Sequence, residues 1–147
     1  MTTMTHAAAI VMPICTASLL SAALLQIDSV QNRRLDPRIA PASPQRYKSI
    51  RDAKDWENPY LVIRRDGIEV IAKGLPSGRT TVARADLQRT LIALPLSAWP
   101  YGRVVAVQDT GIVAADGSDK ESIASNHEAA LAILNTLQVT VERWPSV

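Results

Sequence analysis

Nineteen consecutive residues, Ala7 to Leu25, read AAAIVMPICTASLLSAALL without a single charge. No other feature restricts the chain so strongly, because an uncharged run of this length must be inserted, exported or buried. Extended to Ile27 it holds one strongly polar residue, Gln26, and as a helix it is about 30 Å long, the thickness of one hydrocarbon core. A single membrane anchor is therefore geometrically sound. Alanine is abundant, Thr16, Ser18 and Ser21 are hydroxylated and Pro13 interrupts the run, which gives the moderate hydropathy of a signal peptide. Ser21-Ala22-Ala23 offers the small residues of a cleavage site, whereas the leading MTTMTH has no Lys or Arg for a positive n-region. A helix buried in a soluble core is the third reading. Residues 1–27 are thus expected to be a signal peptide or a single membrane anchor, which places the protein in the cell envelope, membrane-anchored or periplasmic or secreted.

The rest of the chain must fold with little help from aromatic or sulfur chemistry. Its 147 residues suffice for one domain with a modest core, and 20% charged against 47% hydrophobic residues exclude a chain disordered throughout. With no Phe the core must be mostly aliphatic. The single cysteine, Cys15, lies in the apolar run, so the domain has neither an internal disulfide nor a cysteine-based metal site.

Charge is distributed unevenly. Ser29 to Arg103 holds fourteen Lys or Arg against seven Asp or Glu, and Val104 to Val147 holds two against six. The basic half adjoins the apolar run, and the positive-inside rule would keep that flank cytoplasmic while export would place it outside. Arg33, Arg34 and Arg38 in this flank suit anionic lipid headgroups, at about 1 kcal/mol per basic residue near the surface. A solvated linker is the plainer reading of the same residues. Prolines at 37, 41 and 44 and the lack of hydrophobic period mark residues 28–55 as a basic linker.

The folded domain is expected over residues 56–147. YLVIRR and IEVIA flank Asp66-Gly67, a hairpin signal because both turn positions require positive φ; the strands are Tyr60 to Arg65 and Ile68 to Ala72. KGLPSGR reads as a loop. VARADLQRTLIAL places Leu87, Leu91 and Leu94 at helical spacing, with Pro95 as its stop. RVVAVQ is a strand, DTGIVAADGSDKE a strand end passing into a charged loop, and a helix from Ser122 onward carries Ile123, Ala130, Leu131, Leu134 and Leu137. Asp119 or Ser122 is its expected N-cap. QVTVERW supplies the last strand. The order β-β-α-β-α-β implies a two-layer α+β fold, with helices on one side of a mixed sheet and one N-terminal apolar helix before it.

Two resemblances rest on these residues. LSAWPYGRVVAVQ, a helix containing NHEAAL and then VTVERWPSV resemble small exported or membrane-anchored bacterial proteins to which no activity is assigned. The layout of apolar helix, linker and β-β-α-β-α-β domain, together with PYGRVVAV at Pro100 to Val107, is similar to the ExbD/TolR biopolymer-transport family. That likeness implies an accessory subunit of a membrane complex. The only candidate here for that family's membrane-helix aspartate is Asp28, at the edge of the apolar run.

Chemistry-bearing motifs are few. Asp109-Thr110-Gly111 after VVAVQ resembles the aspartic-protease triplet, whose mechanism needs two carboxylates sharing a proton; one copy per chain requires a homodimeric hydrolase built on Asp109. The alternative is a strand end that turns. His127 stands beside Glu128, but neighbours on a helix face different ways and no Ser or Cys nucleophile accompanies them. His6 and His127 do not make a metal site. DGSDKE clusters oxygens without the ligand spacing of a calcium loop and reads as a solvated turn. No glycine-rich phosphate loop is present, so no nucleotide or other cofactor is called. The basic flank has only Tyr47 among its arginines and lysines, which argues against nucleic acid.

Trp56, Trp99, Tyr101 and Trp144 are the candidate binding residues, since aromatic side chains at turns and strand ends anchor partners. The three tryptophans are expected together, closing one end of the sheet. The sequence thus reads as a non-catalytic, membrane-tethered or exported envelope domain with a protein partner and with membrane lipid beside it. The alternative is the Asp109 hydrolase.

Overall fold

The computed structural model describes residues 34–109 and 116–145. The expected signal peptide or anchor and Arg33 lie outside the described residues. A short helix α1 (Pro44–Tyr47) and a 3-10 turn (Ala53–Asp55) precede β1 (Tyr60–Arg64), β2 (Gly67–Ile71), β3 (Arg79–Val82), α2 (Arg84–Ile92), a second 3-10 turn (Leu96–Ala98), β4 (Val104–Asp109), α3 (Gly117–Thr136) and β5 (Thr140–Pro145).

The strands form one mixed sheet in the order β3-β2-β1-β4-β5. β1, β2 and β3 are an antiparallel meander, whereas β4 runs parallel to both β1 and β5. Parallel neighbours need long crossovers, and the two available stretches carry α2 and α3. Both helices lie on one face: Leu87 and Leu91 of α2 and Ile123, Ala130 and Leu134 of α3 share a core with Leu61, Ile63, Ile68, Val70, Val105 and Val107. This is the expected α+β arrangement, with the aliphatic core that a Phe-free chain must build. Each Leu, Ile or Val among them contributes about 1.5–3 kcal/mol on burial. Val104 to Val107 are buried on successive, opposite-facing positions, so β4 is covered on both faces and reads as an unbroken apolar run.

Four local expectations change. First, Arg79–Val82 is a strand, where the expected loop ends at Arg79 and the expected helix opens at Val82, and it pairs with β2 from Ile68↔Val82 to Ile71↔Arg79; Thr80, Thr81 and Val82 are β-branched and suit an edge strand. Second, the β1–β2 loop residues are Arg65 and Asp66, since Arg64 pairs with Gly67. Gln138 is the only non-glycine with positive φ among the described residues, so the turn is not of the kind expected; Gly67 stands in β2, where a Cβ would meet the Val82 carbonyl oxygen at 2.7 Å. Third, α3 starts at Gly117 with Asp116 as N-cap, which turns DGSDKE into the first helical turn. Asp119 there pairs with Arg65 across 3.2 Å. Fourth, the domain does not begin at Trp56.

Residues 34–55 are packed onto the fold rather than leading up to it. Leu35 and Ile39 enter the helix-side core and Tyr47 enters a second cluster on the opposite face. The strap is held by backbone hydrogen bonds from Ser43 N to Tyr101 O (2.9 Å) and from Arg103 N to Ala40 O (2.9 Å), and by Arg103 Nε donating to Ile39 O (2.9 Å). Its buried residues follow no helix or strand period because the strap is irregular, so the linker reading had no pattern to contradict it.

Candidate functional site

The face of the sheet away from α2 and α3 carries the candidate binding residues. Strand alternation puts Tyr60 and Val62 of β1, Val104, Ala106 and Gln108 of β4, and Glu142 and Trp144 of β5 on this side. Tyr47, Trp56 and Tyr101 lie over Val104 and Ala106, with Ile50, Tyr60 and Trp144 packed around them. The rings meet edge to face: Tyr47–Trp56 at 5.6 Å, Trp56–Tyr101 at 5.4 Å, Trp56–Trp144 at 5.8 Å and Tyr60–Trp144 at 6.4 Å between centroids. Such pairs contribute about 0.5–1.5 kcal/mol beyond burial. Trp56 is the hub.

Polar atoms in the cluster are held. Trp56 Nε1 donates to Pro59 O (3.3 Å), Tyr60 Oη to Gln108 Oε1 (2.8 Å) and Tyr101 Oη to Asp55 O (3.3 Å). Asn58, buried beneath, donates from Nδ2 to Gly102 O (2.8 Å) and Val104 O (2.7 Å) and accepts at Oδ1 from Tyr101 N (2.8 Å). One amide thereby ties the Trp56 segment to the Tyr101 turn.

Two open depressions meet at Trp56. The larger, about 550 Å³, is walled by Trp56, Tyr60 and Ile71 and rimmed by Lys54, Lys73 and Arg79. The smaller, about 240 Å³, lies between Tyr47, Arg51, Trp56, Glu142 and Trp144. Lys73 pairs with Glu57 at 3.2 Å, and the buried Glu69 is clamped by Arg64 at 2.5 Å and Arg79 at 3.5 Å. Tyr60 lines the larger depression beside Glu57, and Tyr47 the smaller beside Glu142.

Burial, reinforced by the charge of Glu142 at Tyr47 and of Glu57 at Tyr101, raises the hydroxyl pKa of those two residues, and burial alone raises that of Tyr60. At neutral pH all three stay protonated, and Tyr60 and Tyr101 serve as donors. A folded pKa above the unfolded value near 10 means that the unfolded chain releases protons first. The tyrosines therefore favour the folded state below pH 10, and that contribution is lost as pH rises past it. Absorbance at 295 nm followed with tryptophan fluorescence should show tyrosine ionisation delayed beyond pH 10 and coincident with unfolding; three independent titrations at the free value would contradict the cluster.

The structure brings Trp56, Tyr101 and Trp144 together and leaves Trp99 out. The 3-10 turn at Leu96–Ala98 directs Trp99 into the helix-side core with Ile39 and Ala98, so the three tryptophans do not close one end of the sheet. Tyr47 and Tyr60 join the site instead; alternation on β1 marked Tyr60, and nothing local marked Tyr47. Arg34 and Arg38 are exposed on the strap, and the Arg38 guanidinium grips Asp36, Nη2 to Oδ2 at 2.7 Å. That hydrogen bond holds Asp36 below the usual carboxylate range. Asp109 ends β4 opposite Pro145, and Thr110 and Gly111 lie outside the described residues. His127 and Glu128 sit on α3. Among the described residues no group of three or more His, Cys, Asp or Glu is placed to hold a metal, and no helix is long and apolar enough to cross a membrane. No protein-family model, curated protein or solved structure matches the chain.

Proposed function

We propose that this chain is a non-catalytic domain of the cell envelope, tethered by its apolar segment or exported through it, that binds a protein partner on the aromatic face of its sheet. The observation that carries this reading is the meeting of two open depressions at Trp56, with the half-buried Trp144 and Tyr60 as their accessible walls. Aromatic and arginine side chains around a concavity are the composition of an interface centre. The layout likeness to ExbD/TolR subunits points to the same class of role, an accessory part of a membrane complex.

The test uses the full chain in its native cells. A photo-crosslinking residue at Lys73 or Arg143, on the rims of the two depressions, should give a discrete adduct with one protein, and the same probe at Gln88 on α2 should not. The adduct should fractionate with the envelope. Equal labelling from all three positions, or recovery of the intact chain in the cytosol alone, would refute the reading.

A further inference from the structure

A second surface, which borders the aromatic cluster at Tyr101 but lies outside its two depressions, collects arginine. The strap residues Leu35 to Pro41 are flanked by two further depressions. One, about 440 Å³, is lined by Arg34, Leu35, Pro37, Arg103 and the end of α3 at Thr136 to Gln138. The other, about 220 Å³, is lined by Arg38, Arg46, Pro41, Leu96, Trp99 and Pro100. Every charged residue in both linings is an arginine. The one carboxylate paired with them is Asp36, already engaged by Arg38; Arg34 and Arg46 have no ion pair among the described residues. The negative end of the α3 dipole offsets part of the charge of Arg34 and Arg103, and Arg46 stands apart from it.

Two observations add to the charge. Leu96, 39% exposed, is the one large hydrophobic side chain standing in solvent among the described residues, and it lies on the wall of the Arg38–Arg46 depression. Trp99 of the same wall is buried, and its Nε1 has no hydrogen-bond partner. An indole N–H is a donor only, so what it lacks is an acceptor. Guanidinium forks are matched to phosphate oxygens, and an apolar side chain projecting between them needs an apolar phase to enter.

We infer that this arginine end of the domain docks on the phosphate headgroups of an anionic membrane, with Leu96 entering the interface. The inference rests on the anchor reading for its geometry: six residues separate Ile27 from Arg34, at most about 24 Å of extended chain, so an anchored Ala7–Ile27 holds this end against the bilayer. The aromatic face is a different surface and remains available to a partner. The favoured ligand is a lipid phosphate rather than a free one because Leu96 has no role in holding a small anion.

The experiment uses the full chain in vesicles. Leu96→Cys in a Cys15→Ser background carries an environment-sensitive dye, and Lys120→Cys, on the first turn of α3 and about 24 Å along the helix from its far end, carries the same dye as a control. In vesicles containing phosphatidylglycerol at low salt, the dye at 96 should shift to the blue and the dye at 120 should not. Pure phosphatidylcholine vesicles should give no shift at either position, although the apolar segment inserts equally in both. Arg34→Gln with Arg46→Gln, two side chains without a structural bond, should lower the docking equilibrium about thirtyfold, and higher salt should do the same. An unshifted dye at 96, or a shift indifferent to lipid charge and to the two arginines, overturns the inference. So does suppression of the shift by inorganic phosphate at matched ionic strength, which would identify a small-anion pocket. A failed shift leaves the crosslinking result untouched, so the two readings fall separately.

Discussion

Replacing Gly102 by alanine should lower the melting temperature by about 15 °C, because it unseats the strap that completes both sides of the sheet. Gly102 has φ +81°, a conformation that alanine adopts only with strain, and a Cβ there would meet Pro41 O at 2.2 Å and Ala40 O at 2.8 Å. Those atoms are backbone and cannot swing aside. To make room, the strap must lift, which breaks the bonds from Ser43 N to Tyr101 O and from Arg103 N to Ala40 O and uncovers Leu35 and Ile39. A loss of about 4 kcal/mol is in the range reserved for such mechanisms, and for a domain of this size each kcal/mol moves the midpoint by about 4 °C. Gly78→Ala supplies the comparison: φ is +68°, but nothing lies within 4 Å of the added carbon, so only the strain of about 1–2 kcal/mol is lost. Thermal unfolding followed by circular dichroism decides the matter. Equal melting temperatures for the two variants would mean that the strap does not cross Gly102 as described.

That prediction also marks where the sequence was legible and where it was not. Val104 to Val107 announced a strand buried on at least one face because four adjacent apolar residues cannot all meet water, and Leu87 and Leu91 announced α2 because one helical stripe suffices to bury them. Strand β3 stayed hidden: of Arg79, Thr80, Thr81 and Val82 only the last is apolar, and an edge strand can be held by its ladder to β2 with little burial. The strap stayed hidden for a different reason. The strap that carries Leu35, Ile39 and Tyr47 is bonded to Tyr101 and Arg103, more than fifty residues away, and irregular backbone has no period to reveal which side chains point inward.

The site divides in the same way. Trp56 and Trp144 were recognisable as large aromatics at the ends of elements; the parallel pairing of β4 with β1 and β5 puts Trp144 on the face of Tyr60, and the 3-10 turn before β1 delivers Trp56 to it. Trp99 and Tyr101 are two residues apart and fall in different clusters, a consequence of the turn between them that residue type alone does not carry. The arginines at 34, 38, 46 and 103 formed a list along the chain before folding; the strap makes them a surface.

Asn58→Leu should cost about 3–5 kcal/mol, since it keeps the side-chain volume but removes the amide's bonds to Val104 O and Tyr101 N and leaves Gly102 O only its bond from Val104 N, in a site that is 2% exposed. The loss should appear first in the aromatic face, because these three bonds hold the Tyr101 turn against the Trp56 segment; near-ultraviolet circular dichroism should weaken before the far-ultraviolet helix signal does. Asn58→Asp separates hydrogen bonding from packing. Its carboxylate would still accept from Tyr101 N but would face two carbonyl oxygens, and burial among acceptors raises a carboxyl pKa in the folded state. The neutral form, which donates one of the two lost bonds, is then favoured by folding. Stability of this variant is accordingly greatest below the unfolded carboxyl value near 4 and declines as pH rises through the elevated folded one. Denaturant midpoints at pH 4 and pH 7 should therefore differ in the order opposite to that of most acid-sensitive proteins. If Asn58→Asp is as stable at pH 7 as the parent chain, or Asn58→Leu loses less than about 1 kcal/mol, the amide is not the clasp that joins the two halves of the aromatic face.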